Sequence, residues 1–240
     1  MTNKLKINNV TKTFITFDGK KNALDDVSIE FLQNTFTVVA GENGSGKSVL
    51  MSIIAGLEQA SSGTIESFGK VGLVFQEADT QILGETPFED VCFGLKNLGF
   101  SKEDVSKKCE DALKITGLWE KREFPARFLS GGEKRRLAIA CMIALDFPIL
   151  ILDEPYANLD YSGVKQVNSL LRQLKQCGKT IILLTHEIEK CLGLADKMIV
   201  LFAGKKVFDG SAKDALNQAL EQWNIKPPLT VYNSIKDLVW

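Results

Sequence analysis

Short apolar runs alternate along this chain with longer stretches whose apolar positions recur every three or four residues. Leu5 to Val10 and Val27 to Phe31 read as short strands, joined through the polar turn Asp18-Gly19-Lys20-Lys21. Thr35 to Ala40 is a β-branched strand that runs into a glycine-rich loop. An apolar helix comes next and extends to Ala55, and Gly56 stands where a helix-terminating glycine belongs. Val71 to Phe75, Ile149 to Leu152 and Thr180 to Thr185 are apolar runs of strand length, and Lys197 to Phe202 with Lys205 to Phe208 predicts a hairpin around Gly204. Helices are expected from Gly132 to Leu145 and from Gly163 to Cys177, the second closed by Gly178. Continuous apolar strands interleaved with helices predict an α/β domain whose sheet is buried on both faces.

From Glu77 to Phe128 the pattern becomes helical throughout. Phe88 to Leu98 carries apolar residues at helical spacing. Ser101-Lys102-Glu103-Asp104 has the form of a capping box, opening a helix with Val105, Cys109, Ala112 and Leu113 on one face. The reading is therefore an α/β core over 1–76 and 129–223, a helical unit over 77–128, and a short extension over 224–240. That extension contains Pro227-Pro228 and an amphipathic stretch from Leu229 to Val239.

Composition narrows the classes. Among 240 residues, 29 Lys and Arg balance 30 Asp and Glu to a net charge of -1, which argues against a dedicated nucleic-acid binder. No apolar run approaches the roughly 18 residues of a membrane span, and the opening MTNKLKINNV lacks the apolar centre of a signal peptide, so a cytosolic chain is expected. Cys92, Cys109, Cys141, Cys177 and Cys191 are odd in number with no C-x-x-C pair, which predicts free thiols serving as small apolar residues.

The strongest chemical signal is Gly41-Glu42-Asn43-Gly44-Ser45-Gly46-Lys47-Ser48, a match to G-x-x-x-x-G-K-[ST] between a strand and an apolar helix. Glycines let successive N–H groups curl around phosphate oxygens, and the helix start adds its positive dipole end. Gly41, Asn43, Gly44, Ser45, Gly46, Lys47, Ser48 and Val49 are the candidate phosphate contacts, with Lys47 reaching the β- and γ-phosphates and Ser48 a Mg²⁺ ligand. Ile149 to Asp153 then Glu154 places a carboxylate at the end of an apolar strand: Asp153 on the metal side, Glu154 the candidate general base.

A third motif, Leu129-Ser130-Gly131-Gly132-Glu133, resembles the signature motif of ABC ATPases. The resemblance implies a P-loop NTPase of the ABC ATPase type, with a small antiparallel β subdomain and a helical subdomain carrying the signature motif. It implies ATP and Mg²⁺, and two ATPase chains paired head to tail so that Ser130, Gly131, Gly132 and Glu133 of each close over the other's nucleotide. It further makes Gln76 a Mg²⁺- and water-contacting glutamine and His186 a γ-phosphate contact. Asp160 in Ala157-Asn158-Leu159-Asp160 becomes a loop residue organising the dimer, and Phe14 the adenine-stacking aromatic, ahead of Phe17. Lys134-Arg135-Arg136 is expected on a solvated or subunit-facing helix surface.

Val71 to Phe100, reading VGLVFQEADTQILGETPFEDVCFGLKNLGF, is similar to the segment typical of energy-coupling-factor ATPases, which drive import of vitamins or of cobalt and nickel ions. The implied partners are a second ATPase, identical or related, a T-type transmembrane subunit and a substrate-binding membrane subunit, with no nucleic acid. The implied place is the cytoplasmic face of the membrane. Asp79, Glu89 and Asp90 are candidate contacts for basic residues of the membrane partner. Glu77-Ala78, Ala157 and Tyr161 depart from commoner residues at their positions, and the short Gly63 to Val71 link predicts a trimmed β arm. A conventional ABC transporter subunit is the alternative, and a nucleic-acid- or ribosome-associated ABC ATPase a more distant one, since one motif set in 240 residues leaves no room for coiled-coil insertions or a second nucleotide domain.

Overall fold

The computed structural model describes residues 4–17 and 19–230. In chain order its elements are β1 (Lys4–Thr16), β2 (Gly19–Leu32), β3 (Phe36–Ala40), α1 (Lys47–Ile54), β4 (Ser62–Glu66), β5 (Val71–Val74), α2 (Pro87–Asn97) and α3 (Lys102–Ile115). The second half contributes α4 (Gly131–Ala144), β6 (Ile149–Asp153), α5 (Tyr161–Gln176), β7 (Thr180–Thr185), β8 (Lys197–Phe202), β9 (Lys205–Ser211) and α6 (Ala212–Ala215). The strands form two sheets. The larger has the order β5-β6-β7-β3-β8-β9, parallel except for β9, and the smaller is the antiparallel β2-β1-β4.

Each parallel strand deals its side chains alternately to two apolar layers. Val38, Leu150, Leu152, Ile181, Leu183, Met198 and Val200 join Val167, Leu171 and Leu174 of α5 on one side. Val39, Ile149, Ile151, Ile182, Leu184, Ile199 and Leu201 join Leu50 and Met51 of α1 on the other, where Leu5, Ile7, Val27, Ile29 and Phe31 of the small sheet close the layer. Burial on both faces is the reason these strands read as unbroken apolar runs.

The helical unit has a core of its own. Val91, Cys92 and Leu95 of α2 pack on Val105, Cys109, Ala112 and Leu113 of α3 and on Leu137, Ala140 and Ala144 of α4. The intervening Ala138 and Ile139 belong to the sheet's core. So α4 is buried on two sides and is shared, and no sharp boundary falls between residues 128 and 129.

Two details depart from the pattern reading and one agrees with it in part. The β1–β2 hairpin is far longer than the two short strands expected, because the half-buried Thr11 and Thr13 and the exposed Ile15 and Thr16 continue it as β-branched positions with no apolar alternation to betray them. Only β4, at five residues, is short in the way the Gly63 to Val71 link predicts. All five cysteines are free as expected, but Cys177 is exposed rather than buried.

The residues leading into the extension lie inside the fold, with Leu220 buried in the sheet's core and Trp223 packed on Phe208 with ring centroids 6.4 Å apart, and Ile225 of the extension itself is buried beside them. The amphipathic stretch lies, from residue 231 onward, outside the described residues. Among those described, no helix is long and apolar enough to cross a membrane.

Leu183, fully buried at the centre of the sheet, tests this core: Leu183→Ala should destabilise the protein by about 2–5 kcal/mol, read as a lower denaturant midpoint at unchanged slope.

Candidate functional site

The carboxyl ends of β3, β6 and β7 lie side by side, with Ala40 paired to Thr185 and Asp153 to Leu184. The connections after these strands must therefore emerge at one edge of the sheet, where ligands of open α/β folds bind. Gly41 opens the connection after β3, Glu154 the one after β6 and His186 the one after β7.

The Gly41–Ser48 loop is tightly specified. An added Cβ at Gly41 would stand 2.3 Å from the Leu201 carbonyl oxygen, and one at Gly46 would stand 2.5 Å from the Ala23 carbonyl oxygen, with φ at 101°. Helix α1 then starts with no side-chain cap and no acidic residue in its first turn, whereas Thr86, Ser101, Ser130 and Asp160 cap α2, α3, α4 and α5. A helix start left open and free of negative charge is an anion site. Lys47, 5% exposed, folds back over the loop and donates to the carbonyls of Gly41 at 2.7 Å and Glu42 at 3.0 Å. Burial lowers its pKa, opposed by the nearby charges of Glu154, Asp153 and Glu42.

A cleft of about 180 Å³ opens here, lined by Asn43, Gly44, Gly46, Lys47, Ser48, Val49, Gln76, Asp153, Glu154 and Ala23. Asp153 lies beside the Ser48 side chain, and burial raises its pKa. Its Oδ1 is buried with no hydrogen-bond partner, as is Ser45 Oγ. A buried carboxylate oxygen without a donor, next to a hydroxyl, is the donor chemistry a hard divalent cation takes. Glu154, also 5% exposed, is hydrogen-bonded through Oε1 to His186 Nδ1 at 2.9 Å. Gln76 is exposed at the mouth of the cleft, and Gln81 fixes the segment around it by donating to the Leu73 carbonyl and accepting from Phe75 N–H, both at 2.8 Å.

The signature residues gather elsewhere. Ser130, Gly131, Gly132 and Glu133 share a second cleft, about 380 Å³, with Asn158, Leu159 and Asp160. Ser130 Oγ accepts from Glu133 N–H at 3.3 Å and Glu133 Oε2 accepts from Ser130 N–H at 2.9 Å, a capping box that turns both side chains inward. Asp160 caps α5 by accepting from Gly163 N–H at 2.7 Å. Phe14 lies on the β1–β2 hairpin, 38% exposed beneath the Lys12 ammonium, and pairs with Lys21, two residues before the cleft-lining Ala23.

Two expectations are corrected. Asp90 does not face outward: it is 5% exposed and accepts from the N–H groups of Leu83 and Gly84 at 2.7 and 2.9 Å, because the loop before α2 turns back over its first turn. Glu89 and Asp79 do stay exposed, with Glu89 accepting from Glu85 N–H at 3.1 Å and Asp79 ion-paired with Lys134. Nor is Lys134-Arg135-Arg136 wholly a solvated or subunit-facing surface, although Arg136 does line the signature cleft. Arg135 is buried, and Arg136 donates to the Thr116 carbonyl at 3.0 Å, since α4 is packed on two sides. Periodicity alone gave no sign of these bonds.

Comparison with known proteins agrees with this geometry. The family model for the ABC transporter matches residues 24–157. The chain belongs to the ABC transporter family, as one of its ATP-binding, ATP-hydrolysing members. It is 41% identical to the energy-coupling factor transporter ATP-binding protein EcfA of Carboxydothermus hydrogenoformans over 233 residues, covering 91% of this chain and 86% of that one. Its place in the family is accordingly with the energy-coupling-factor ATPases. Among solved structures, cbiO1 from Clostridium perfringens, part of the ABC transporter complex cbiONQ, superposes with a TM-score of 0.82 at 30% identity over 95% of this chain and 97% of the other. The dimeric post-hydrolysis ATP-binding cassette MJ0796, bound to ADP and Pi, gives 0.79 at 27% identity over 87% and 98%.

The loop's packing makes a direct prediction. Gly46→Ala combines a clash with the Ala23 carbonyl and a φ of 101° that L residues rarely adopt, so it should abolish binding of a fluorescent ATP analogue. The sheet core should still melt cooperatively by circular dichroism.

Proposed function

We propose that this chain powers an energy-coupling-factor importer of a vitamin or a transition-metal ion by binding ATP with Mg²⁺ between two paired ATPase chains. The observation that carries the reading is the Glu154–His186 pair, 2.9 Å apart at the edge of a phosphate cradle whose helix start is uncapped. Lys47, Ser48 and the N–H groups of the loop hold the β- and γ-phosphates. Ser48, Asp153 and Gln76 supply the oxygens that would hold Mg²⁺, which when bound neutralises the phosphate charge that builds up during transfer.

Glu154 takes a proton from the attacking water as the bond from the γ-phosphorus to the bridging oxygen breaks, leaving ADP and inorganic phosphate. His186 orients Glu154 through Nδ1 and turns its other nitrogen toward the γ-phosphate. Phe14 supplies the ring for adenine.

The separation of the two clefts supports pairing. Ser130 to Gly132 with Asp160 gather in a cleft of their own that shares no residue with the chain's phosphate cleft. A second chain, identical or related, completes each site. Closure around ATP and reopening after hydrolysis pass to a T-type transmembrane subunit through the helical unit. There a groove of about 440 Å³ lies between Asp79, Ile82, Gly84, Glu85 and Thr86 on one side and Pro125, Ala126 and Arg127 on the other. The substrate-binding membrane subunit attaches through that partner, which places this chain at the cytoplasmic face of the membrane.

Glu154→Gln should retain ATP binding while turnover falls by about 10²–10⁴-fold, the range for losing a general base. The variant should trap a nucleotide-dependent dimer on size exclusion. Unchanged turnover would remove Glu154 from the mechanism. Purification of the tagged chain from native membranes should recover a T-type subunit with small membrane-embedded binding proteins. Recovery of permeases with a soluble binding protein would instead make it a conventional importer subunit.

A further inference from the structure

Arg135 is the one residue that joins the signature helix to the backbone of Glu154 by a hydrogen bond found among the described residues. It sits in the second turn of α4, 5% exposed, and its Nη1 donates to the Glu154 carbonyl at 3.2 Å. Its Nε is buried with no hydrogen-bond partner. The charged groups facing it are Glu77, Asp153 and Glu154. Its neighbours in sequence point elsewhere: Lys134 pairs with Asp79, and Arg136 reaches the Thr116 carbonyl and Gln166.

Stability does not account for this side chain. A guanidinium withdrawn from water with one of its donors unmet gains less than a well-packed apolar residue would. Its contacts are more informative. Glu154 has φ of 44°, in the left-handed region, and is pinned at every polar atom of its backbone. Its N–H donates to the Leu184 carbonyl at 3.0 Å, and its carbonyl accepts from Ala157 N–H at 3.2 Å as well as from Arg135. A strained residue persists where its surroundings over-determine it, and such places cluster at working sites.

We propose that Arg135 is a positioning residue for ATP hydrolysis, holding the Glu154 carbonyl so that the Glu154 carboxylate stands where water is activated. This rests on the reading of Glu154 as the base. It also makes the geometry of that base depend on α4, whose first turn carries Ser130 to Gly132. Contact of that turn with the nucleotide held by a second chain is then felt at the Glu154 of this one.

The test uses the full chain with Arg135→Met and Arg135→Lys, alone and combined with Glu154→Gln. The Met variant should lower kcat by about 10–100-fold with affinity for a fluorescent ATP analogue changed by less than about threefold, as expected for misplacing a reacting group. The Lys variant should fall between, since it keeps the charge but not the planar fork. Hydrogen exchange in the nucleotide-free Met variant should quicken at residues 154–159 while the Gly41–Ser48 loop keeps its protection. In the Glu154→Gln background, Arg135→Met should lower turnover no further.

Multiplicative losses in the double variant, or lost affinity and thermal stability with kcat intact, would overturn the proposal. Normal turnover in Arg135→Met beside a crippled Glu154→Gln would overturn it while leaving the base in place. Normal turnover in Glu154→Gln itself would sink both. Should the Met variant fail to fold, Arg135→Lys carries the same kcat and exchange comparisons.

Discussion

The parallel register of β6, β7 and β3 is the constraint on which the site depends. Asp153 pairs with Leu184 and Ala40 with Thr185, so three connections leave the sheet at the same level. That register is held by burial on both faces. Slipping β6 by one residue would carry Ile149 and Ile151 into the layer now filled by Leu150 and Leu152, and would turn Asp153 from the cleft into a core. Each buried side chain of this size stabilises by roughly 1.5–3 kcal/mol, so several act together on each strand against any slip. The apolar core thus fixes the position of Glu154 relative to Gly41 and His186 without touching their side chains.

Around that edge the fold departs from its own economy. Of the four buried side-chain polar atoms without a partner among the described residues, three belong to Ser45, Asp153 and Arg135, all at or beside the cleft. Glu154 sits at a positive φ, and α1 alone among the long helices lacks a side-chain cap. Elsewhere Ser101 and Thr86 close their helix starts in the ordinary way. Unmet donors, unmet acceptors and backbone strain in one place describe a surface completed by a charged ligand, with Lys47 held meanwhile on the carbonyls of Gly41 and Glu42.

Much of this is legible in the sequence for a physical reason. Strands buried on both faces must be apolar throughout, and a phosphate loop must spend glycines where a carbonyl comes within 2.5 Å, as Ala23 does at Gly46. These requirements act on residue type, so they show in one dimension. The β1–β2 hairpin is only half visible there because its outer positions face water on both sides and carry no alternation. Asp90 and Arg135 escape for a different cause. A buried charge reads as a surface charge until its partners are known, and most of those partners, the Leu83 and Gly84 amides and the Glu154 carbonyl, are backbone atoms that any residue type supplies, with the Cys141 thiol as the side-chain partner of Asp90. Gln81 is of the same kind, since its bonds to Leu73 and Phe75 are again to main chain.

Bonds of this kind, together with shared packing, tie the helical unit to the α/β core. Helix α4 gives Leu137, Ala140 and Ala144 to one core and Ala138 and Ile139 to the other, so it cannot rotate about its axis without opening both. Its polar residues fasten three further places: Lys134 at Asp79 after β5, Arg135 at Glu154 after β6, and Arg136 at Thr116 after α3. A helix so fixed transmits displacement as a rigid lever. Close-packed interiors resist gradual deformation, so a push on its first turn is answered by a discrete shift at its other contacts. The strand ends that carry Asp153 and Glu154, the segment bearing Gln76 and the groove beside Asp79 are all within one such contact of α4. This is the arrangement a transport ATPase needs if the state of its nucleotide is to be felt at a surface distant from the phosphate.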